Sequence, residues 1–331
     1  MSPMIDLMKK RCTALRGLNR GSIFFLFFLF LFCLPGNPPS AQVQPKLKAV
    51  TTLFPLQEFA AAVGGERARV DLLLPPGAEP HAWEPRPSDL AKIQKADVFI
   101  YIGRAMEPWA GDLLKANRGA NLKIVEASKG LQLLEAKNLH KEASPGYKPT
   151  REEQIDPHVW LDFSLDGKII AAIAAAFAEK DPQNESRYRT NGESYNSRLE
   201  ALDKKFEAAL SSCRHRQIIL GGHSAFAYLA ERYGLQQISL YGISPNAEPT
   251  PKKLTEVIQA AKSHGVKFIF FEEMVNPKLA RVLAQEAGLQ TLVLYDGANL
   301  TRDQLKQKVT FLGLMEKNLE NLRQGLDCGP K

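Results

Sequence analysis

The feature that most constrains this chain is one uninterrupted helical face. After Asp181-Pro182, large apolar residues recur at Tyr188, Tyr195, Leu199, Leu202, Phe206 and Leu210. Their spacings of 7, 4, 3, 4 and 4 keep to one side of a helix of about thirty residues. Asp181 suits an N-cap and Pro182 the first helical position. Nothing strand-like interrupts the run. Whatever lies on either side is therefore joined by a stiff connector and not by a flexible linker.

Both sides alternate strand with helix. Ahead of the connector, strands are predicted at Leu47 to Phe54, Arg69 to Leu74, Asp97 to Ile102 and Leu122 to Val125. Helical patterns run from Leu56 to Val63, from Ser88-Asp89 onward, and from Ile169 to Phe177. Beyond the connector, strands are predicted at Arg216 to Leu220, Gln237 to Leu240, Lys267 to Phe271 and Thr291 to Tyr295. Helices fit Ser224 to Tyr233, Pro251 to His264, Pro277 to Ala287 and Thr301 to Leu322. Such alternation implies βαβ units and parallel sheets. The expected fold is α/β, with two βα lobes that face each other and one long helix between them. The expected division is a signal over 1–41, a first lobe over 42–180, the connecting helix over 181–212 and a second lobe over 213–331.

The N-terminal stretch reads as an export signal. Lys9, Lys10, Arg11, Arg16 and Arg20 precede an apolar run from Ser22 to Leu34, and Ser40-Ala41 offers a cleavage point. The run is shorter than the roughly 20 residues that a membrane span needs. This places the mature chain in the periplasm; the alternative is an uncleaved anchor that leaves the chain facing the periplasm. Bulky Phe32 ahead of Cys33 argues against lipid attachment there. The formal charge of +7 belongs largely to this stretch; past residue 41 there are 38 Lys/Arg against 35 Asp/Glu. No block of like charge remains, so a nucleic-acid footprint is excluded. Only Cys213 and Cys328 lie beyond the signal, and in an exported chain they form one disulfide or stay as two thiols.

Chemistry concentrates in three loops marked by Pro or Gly. His81 ends Leu74-Pro75-Pro76-Gly77-Ala78-Glu79-Pro80-His81, and His158 stands within Asp156-Pro157-His158-Val159-Trp160-Leu161-Asp162. His223 opens His223-Ser224-Ala225-Phe226-Ala227-Tyr228-Leu229 after two glycines that follow a strand. Asp296 follows the last predicted strand. In open α/β sheets such strand ends are where ligands bind. Two facing lobes would bring His81, His158, His223 and Asp296 together in the cleft. Three neutral imidazoles and a carboxylate suit a borderline divalent metal, Zn²⁺ first, whereas Ca²⁺ and Mg²⁺ prefer oxygen shells. Glu272 and Glu273 end a strand and could orient a ligand histidine, or stay exposed. Trp83 and Trp160 either wall the site or belong to the core. His140 sits in the polar loop 134–156, His215 reads as solvated between Arg214 and Arg216, and His264 as a helix C-terminus.

These stretches also carry a resemblance. The His81 loop with Pro87-Ser88-Asp89, the Asp156 to Asp162 stretch, Gly222 to Leu229, and Tyr295-Asp296 resemble, in order, the four ligand segments of the zinc/manganese-binding solute-binding proteins of bacterial ABC transporters. The likeness runs over about residues 47–322, nearly the whole mature chain. It implies two lobes bridged by a long helix, metal held between them, and delivery to a membrane permease by a monomeric protein that is not an enzyme. His223 at the third position resembles the zinc-type members, where manganese-type adhesins carry Glu. Two departures stand out: the loop between the first two ligands has only His140, and Pro80 replaces the acid that some relatives carry before the first histidine. The alternatives are manganese or iron as the cargo, an adhesin-like surface protein, and an exported zinc hydrolase with Glu79 or Glu272 as its base.

Overall fold

The computed structural model describes residues 46–116, 121–136, 150–244, 250–273 and 277–329. The first half contains β1 (Leu47–Thr51), α1 (Phe54–Gly64), β2 (Ala68–Leu72), α2 (Pro87–Gln94), β3 (Val98–Tyr101), α3 (Ala110–Ala116), β4 (Lys123–Glu126) and α4 (Phe163–Lys180). The connector is α5 (Glu185–Leu210). The second half contains β5 (Gln217–Leu220), α6 (Ala227–Arg232), β6 (Gln236–Ser239), α7 (Pro251–Ser263), β7 (Phe268–Phe271), α8 (Pro277–Ala287), β8 (Gln290–Val293), α9 (Arg302–Lys306) and α10 (Phe311–Gly325). The strands make two four-stranded sheets, β2-β1-β3-β4 and β6-β5-β7-β8, parallel throughout. The expected α/β class, with its long helix between two sheets, is what the structure has.

Each central strand sends alternate residues to opposite faces. Val98 and Ile100 of β3 face one core, while Phe99 and Tyr101 face another that includes Ile93 of α2 and Ala110 of α3. Likewise Ile218 and Leu220 of β5 face inward, while Ile219 packs with Val257, Ala261 and Leu283 of α7 and α8. The inner faces of both sheets belong to a single apolar core that runs through Trp160, α4, α5 and α10. Tyr188, Tyr195, Leu199, Leu202, Phe206 and Leu210 of α5 are all buried in it. Each such large side chain contributes about 1.5–3 kcal/mol by leaving water. The Cys213–Cys328 disulfide, whose ends are 115 positions apart, ties the chain just past α5 to the chain just past α10. Closing so long a loop restricts the unfolded chain and stabilises by about 2–5 kcal/mol.

Several boundaries differ from the sequence reading. The first strand stops at Thr51, because Pro55 sits in the first turn of a helix that already begins at Phe54. Asp181 does not cap a backbone N–H. Its carboxylate accepts from Asn184 Nδ2 at 2.9 Å and Tyr188 OH at 2.7 Å, and a 3₁₀ turn, Pro182–Asn184, precedes α5. The predicted helix over Thr301 to Leu322 is two helices. Lys308 turns to a φ of 54°, and Thr310 caps a fresh helix through Gly313 N–H. The export signal and His140 lie outside the described residues.

Candidate metal centre

His81 stands in a 3₁₀ turn, Pro80–Ala82, on the loop after β2. Its backbone N–H donates to the Glu79 carboxylate at 3.0 Å. The loop is seated by Asn299, whose Nδ2 donates to the Pro75 and Ala78 carbonyls at 2.8 Å each, and by Gly77 N–H on Leu300 C=O at 2.9 Å. His158 precedes the 3₁₀ turn Val159–Leu161 that leads into α4. Asp156 accepts both its backbone N–H at 2.9 Å and its Nδ1–H at 2.7 Å.

His223 follows β5 after Gly221-Gly222, and Glu272 follows β7. Both glycines are needed for close approach: an added Cβ would lie 1.9 Å from the Phe271 ring at Gly221 and 2.0 Å from Glu272 Oε1 at Gly222. That closeness lets Glu272 Oε1 accept His223 N–H at 2.7 Å and brings Oε2 to 2.5 Å from His223 Nδ1. The second contact is close but oblique for a hydrogen bond, so charge carries most of it. Asp296 follows β8. Its Oδ1 accepts Ala298 N–H at 3.1 Å, and its C=O accepts Trp160 Nε1–H at 2.6 Å.

The three imidazoles converge by Nε2. His158 Nε2 lies 3.2 Å from His81 Nε2 and 3.1 Å from His223 Nε2. With metal–nitrogen bonds of about 2.0–2.1 Å, the edge of a tetrahedral zinc shell is about 3.3 Å. Among the described residues, two clusters of ligand atoms fit a metal: His81, His158 and His223, and then His223, Glu272 and Asp296. They share His223. His158 and His223 are buried, and His81 is partly exposed.

Burial drives the His158 and His81 imidazolium forms well down, and the neighbouring imidazole charge adds to this. Both rings are neutral at pH 7. In His158 the Nδ1 proton is held by Asp156, which leaves the Nε2 lone pair pointing into the cluster. Burial also opposes charge on His223, but the Glu272 carboxylate overrides it and pushes the imidazole up to about 9. Burial raises the Asp296 carboxyl to about 6, with Glu272 adding repulsion and the His223 charge opposing it. Glu79 is raised by burial too, against its hydrogen bond from His81. Buried carboxylates and imidazole lone pairs this close repel one another or take up protons, and a divalent cation is the partner that relieves both. The donor set therefore fits a borderline metal.

His81, His158 and His223 are thus brought together, and Asp296 meets the cluster through His223. Glu272, weighed in sequence as an orienting residue, holds His223. Glu273 is exposed and pairs with Gln304. Asp156 was missed as the holder of His158, although the Asp-Pro-His spacing signals it: a rigid Pro between them leaves the carboxylate beside the ring. Trp160 meets the His158 ring edge to face with ring centroids 5.3 Å apart, whereas Trp83 packs on Trp109. His215 is buried, not solvated, because its N–H joins Leu326 C=O beside the disulfide. His264 is exposed at the C-terminus of α7.

The chain is similar to known proteins over most of its length. It is 36% identical over 281 residues to the high-affinity zinc uptake system protein ZnuA of Bacillus subtilis, covering 85% of this chain and 88% of that one. It is 34% identical over 333 residues to the zinc-binding protein AdcA of Streptococcus pyogenes, covering 98% of this chain but 63% of that longer protein. The Zn(II)-bound ZnuA-like domain of Streptococcus pneumoniae AdcA has a similar structure, with a TM-score of 0.73 at 35% identity over 86% of this chain and 100% of that one. The model of the periplasmic component A of the zinc-uptake complex, ZnuA, matches residues 49–325, and the chain belongs to that family.

Proposed function

We propose that this protein captures Zn²⁺ outside the cytoplasmic membrane, through His81, His158, His223 and Asp296, and delivers it to the permease of an ABC importer. The observation that carries this reading is the convergence of three Nε2 atoms within 3.1–3.2 Å steps, two of the rings having a carboxylate on their other nitrogen. Carboxylate-backed imidazoles are the usual supports of zinc ligands. Four protein ligands close the shell, the pattern of held and not catalytic zinc. The two candidate bases for hydrolysis are both engaged: Glu272 on His223 and Glu79 on His81 N–H. Capture is therefore favoured over an exported hydrolase. The zinc-binding relatives support the choice of metal. The reading also takes residues 1–41 as the export signal and the mature protein as a monomer with a lobe on each side of α5. Among the described residues, no helix is long and apolar enough to cross a membrane.

The test is metal content, by mass spectrometry, of protein exported by its own host, beside His81→Ala, His158→Ala and His223→Ala. The expected result is about one zinc per chain, the number of sites argued from the donor set, and its loss in the variants. Manganese or iron in its place would change the cargo and keep the site. Metal retained in all three variants would overturn the site.

A further inference from the structure

The strip that bears His158 belongs to the first half by sequence, yet it is bonded to the second half at both ends and in the middle. At its start, Tyr228 of α6 reaches across. The Tyr228 hydroxyl accepts Leu134 N–H at 2.9 Å and donates to the Asp156 carbonyl at 3.0 Å. Asp156 N–H in turn donates to Leu134 C=O at 2.9 Å, which closes a small ring of hydrogen bonds. In the middle, Trp160 Nε1–H donates to the Asp296 carbonyl. At its end, Asp162 Oδ1 meets Arg232 Nη1 at 3.1 Å. Arg232 is fixed in its own right. Its Nε and Nη2 fork onto Asp203 of α5, to which the Tyr233 hydroxyl also donates at 2.7 Å. Asp162 is likewise committed, since its Oδ1 caps α4 through Ser164 N–H at 2.8 Å.

Tyr228 and Arg232 are four residues apart, and so lie on one face of α6. That helix begins four residues after His223. One short helix thus carries His223 on its lead-in and grips both ends of the His158 strip. From the Tyr228 hydroxyl to the His158 ring the path is short: hydroxyl to Asp156 carbonyl, then the Asp156 carboxylate to His158 N–H and Nδ1. Tyr228 is 3% exposed, so its hydroxyl would be a buried orphan if it did not make these bonds. The tolerance of a metal shell for misplacement is small, about 0.5 Å.

We propose that Tyr228 and Arg232 are positioning residues for the metal: they lock the His158 strip to the His223 element, so that the two imidazoles keep tetrahedral spacing and act on zinc as a unit. This rests on His158 being a zinc ligand. Neither side chain touches the cluster. Their effect passes through His158, which distinguishes this role from a general gluing of the two halves.

The test is a double-mutant cycle read as zinc affinity by chelator competition on the full mature chain. The single variants are Tyr228→Phe, Arg232→Lys and His158→Ala, with Tyr228→Phe and Arg232→Lys each also made in the His158→Ala background. Tyr228→Phe and Arg232→Lys should each weaken zinc about tenfold, the lower range for losing an outer partner of a ligand. In the His158→Ala background the same changes should cost less than about twofold, because the group they position is gone. The visible spectrum of the Co²⁺-loaded protein should change in Tyr228→Phe, as a shifted ligand alters the metal geometry. Wild-type affinity in both single variants, with His158→Ala weakened, overturns the positioning role alone. An equal loss in both backgrounds also overturns it, since that is general loosening. Wild-type affinity in His158→Ala itself removes the ligand and the positioning role together.

Discussion

The two sheets have the same strand order, and each has a buried glutamate where its two central strands end, but the two glutamates do different work. In the first half, Glu107 sits beyond β1 and β3. It accepts the Thr52 hydroxyl at 2.5 Å, Ile102 N–H at 3.3 Å and Gly103 N–H at 3.0 Å. All its partners lie within the first half, and none is a group that could hold a ligand. In the second half, Glu272 sits beyond β7 and holds His223, the residue that follows β5. Its partner is an imidazole whose far nitrogen points at His158. The comparison teaches what turns a crevice into a site. A hydroxyl and two amides use up a buried carboxylate, whereas a histidine passes its influence on to whatever lies across the gap.

The difference can be broken most severely at a glycine. Gly222→Ala would put a Cβ 2.0 Å from Glu272 Oε1 and 2.9 Å from its Cδ, so the carboxylate must leave His223. We expect zinc affinity to fall about 100-fold, the upper range for disturbing a ligand's support, in a chelator competition titration. Gly103→Ala in the other crevice strains a backbone at a φ of 157° and meets the Ser128 hydroxyl, but it touches no residue of the cluster and should leave zinc binding unchanged. Equal losses in the two variants would mean that the crevices are not distinct.

A gentler change sharpens the contrast. Glu272→Gln keeps the shape and removes the charge that holds His223; zinc affinity should drop about tenfold. Glu107→Gln should leave affinity within about twofold, since its partners do not reach the cluster. The same titration checks both.

The smallest effect is on stability alone. Burial pushes the Glu107 carboxyl from its usual 4.5 up to about 7. The folded state therefore binds this proton more tightly than the unfolded state does. The resulting stability is fully present below the unfolded value, and is lost as pH rises through about 7. Glu107→Gln should flatten that part of the profile in urea melts of metal-free protein between pH 4.5 and 7.5, a range set by the two values. An unchanged slope would mean that Glu107 is ionised throughout.

Much of the site was legible in the sequence because its ligands sit in loops with strong local markers. Pro76-Gly77 and Gly221-Gly222 announce turns, and a histidine in such a turn at a strand end has few purely structural duties. The long helix was equally plain, since its apolar positions Tyr195, Leu199 and Leu202 admit one period. The break at Lys308 was not legible: the apolar pattern continues through it, and the chain parts there by the left-handed φ of Lys308 and the extended cap at Thr310. Nor was the burial of His215 between charged neighbours, which depends on the disulfide bringing Leu326 alongside.

By itself the sequence determined the α/β class, the stiff connector and the three histidine loops, because each rests on periodicity or turn chemistry within a short window. The tertiary structure decided the rest. It decided that Glu272 and not Glu273 holds His223, that Tyr228 and Arg232 grip the strip around His158, and that Glu107 is taken up by Thr52 and two amides of its own half. The long-range pairings among these join residues from 49 to 94 positions apart. A hydrogen bond needs its partners within about 3 Å, and only the packing of both sheets on a shared core brings such distant groups that close.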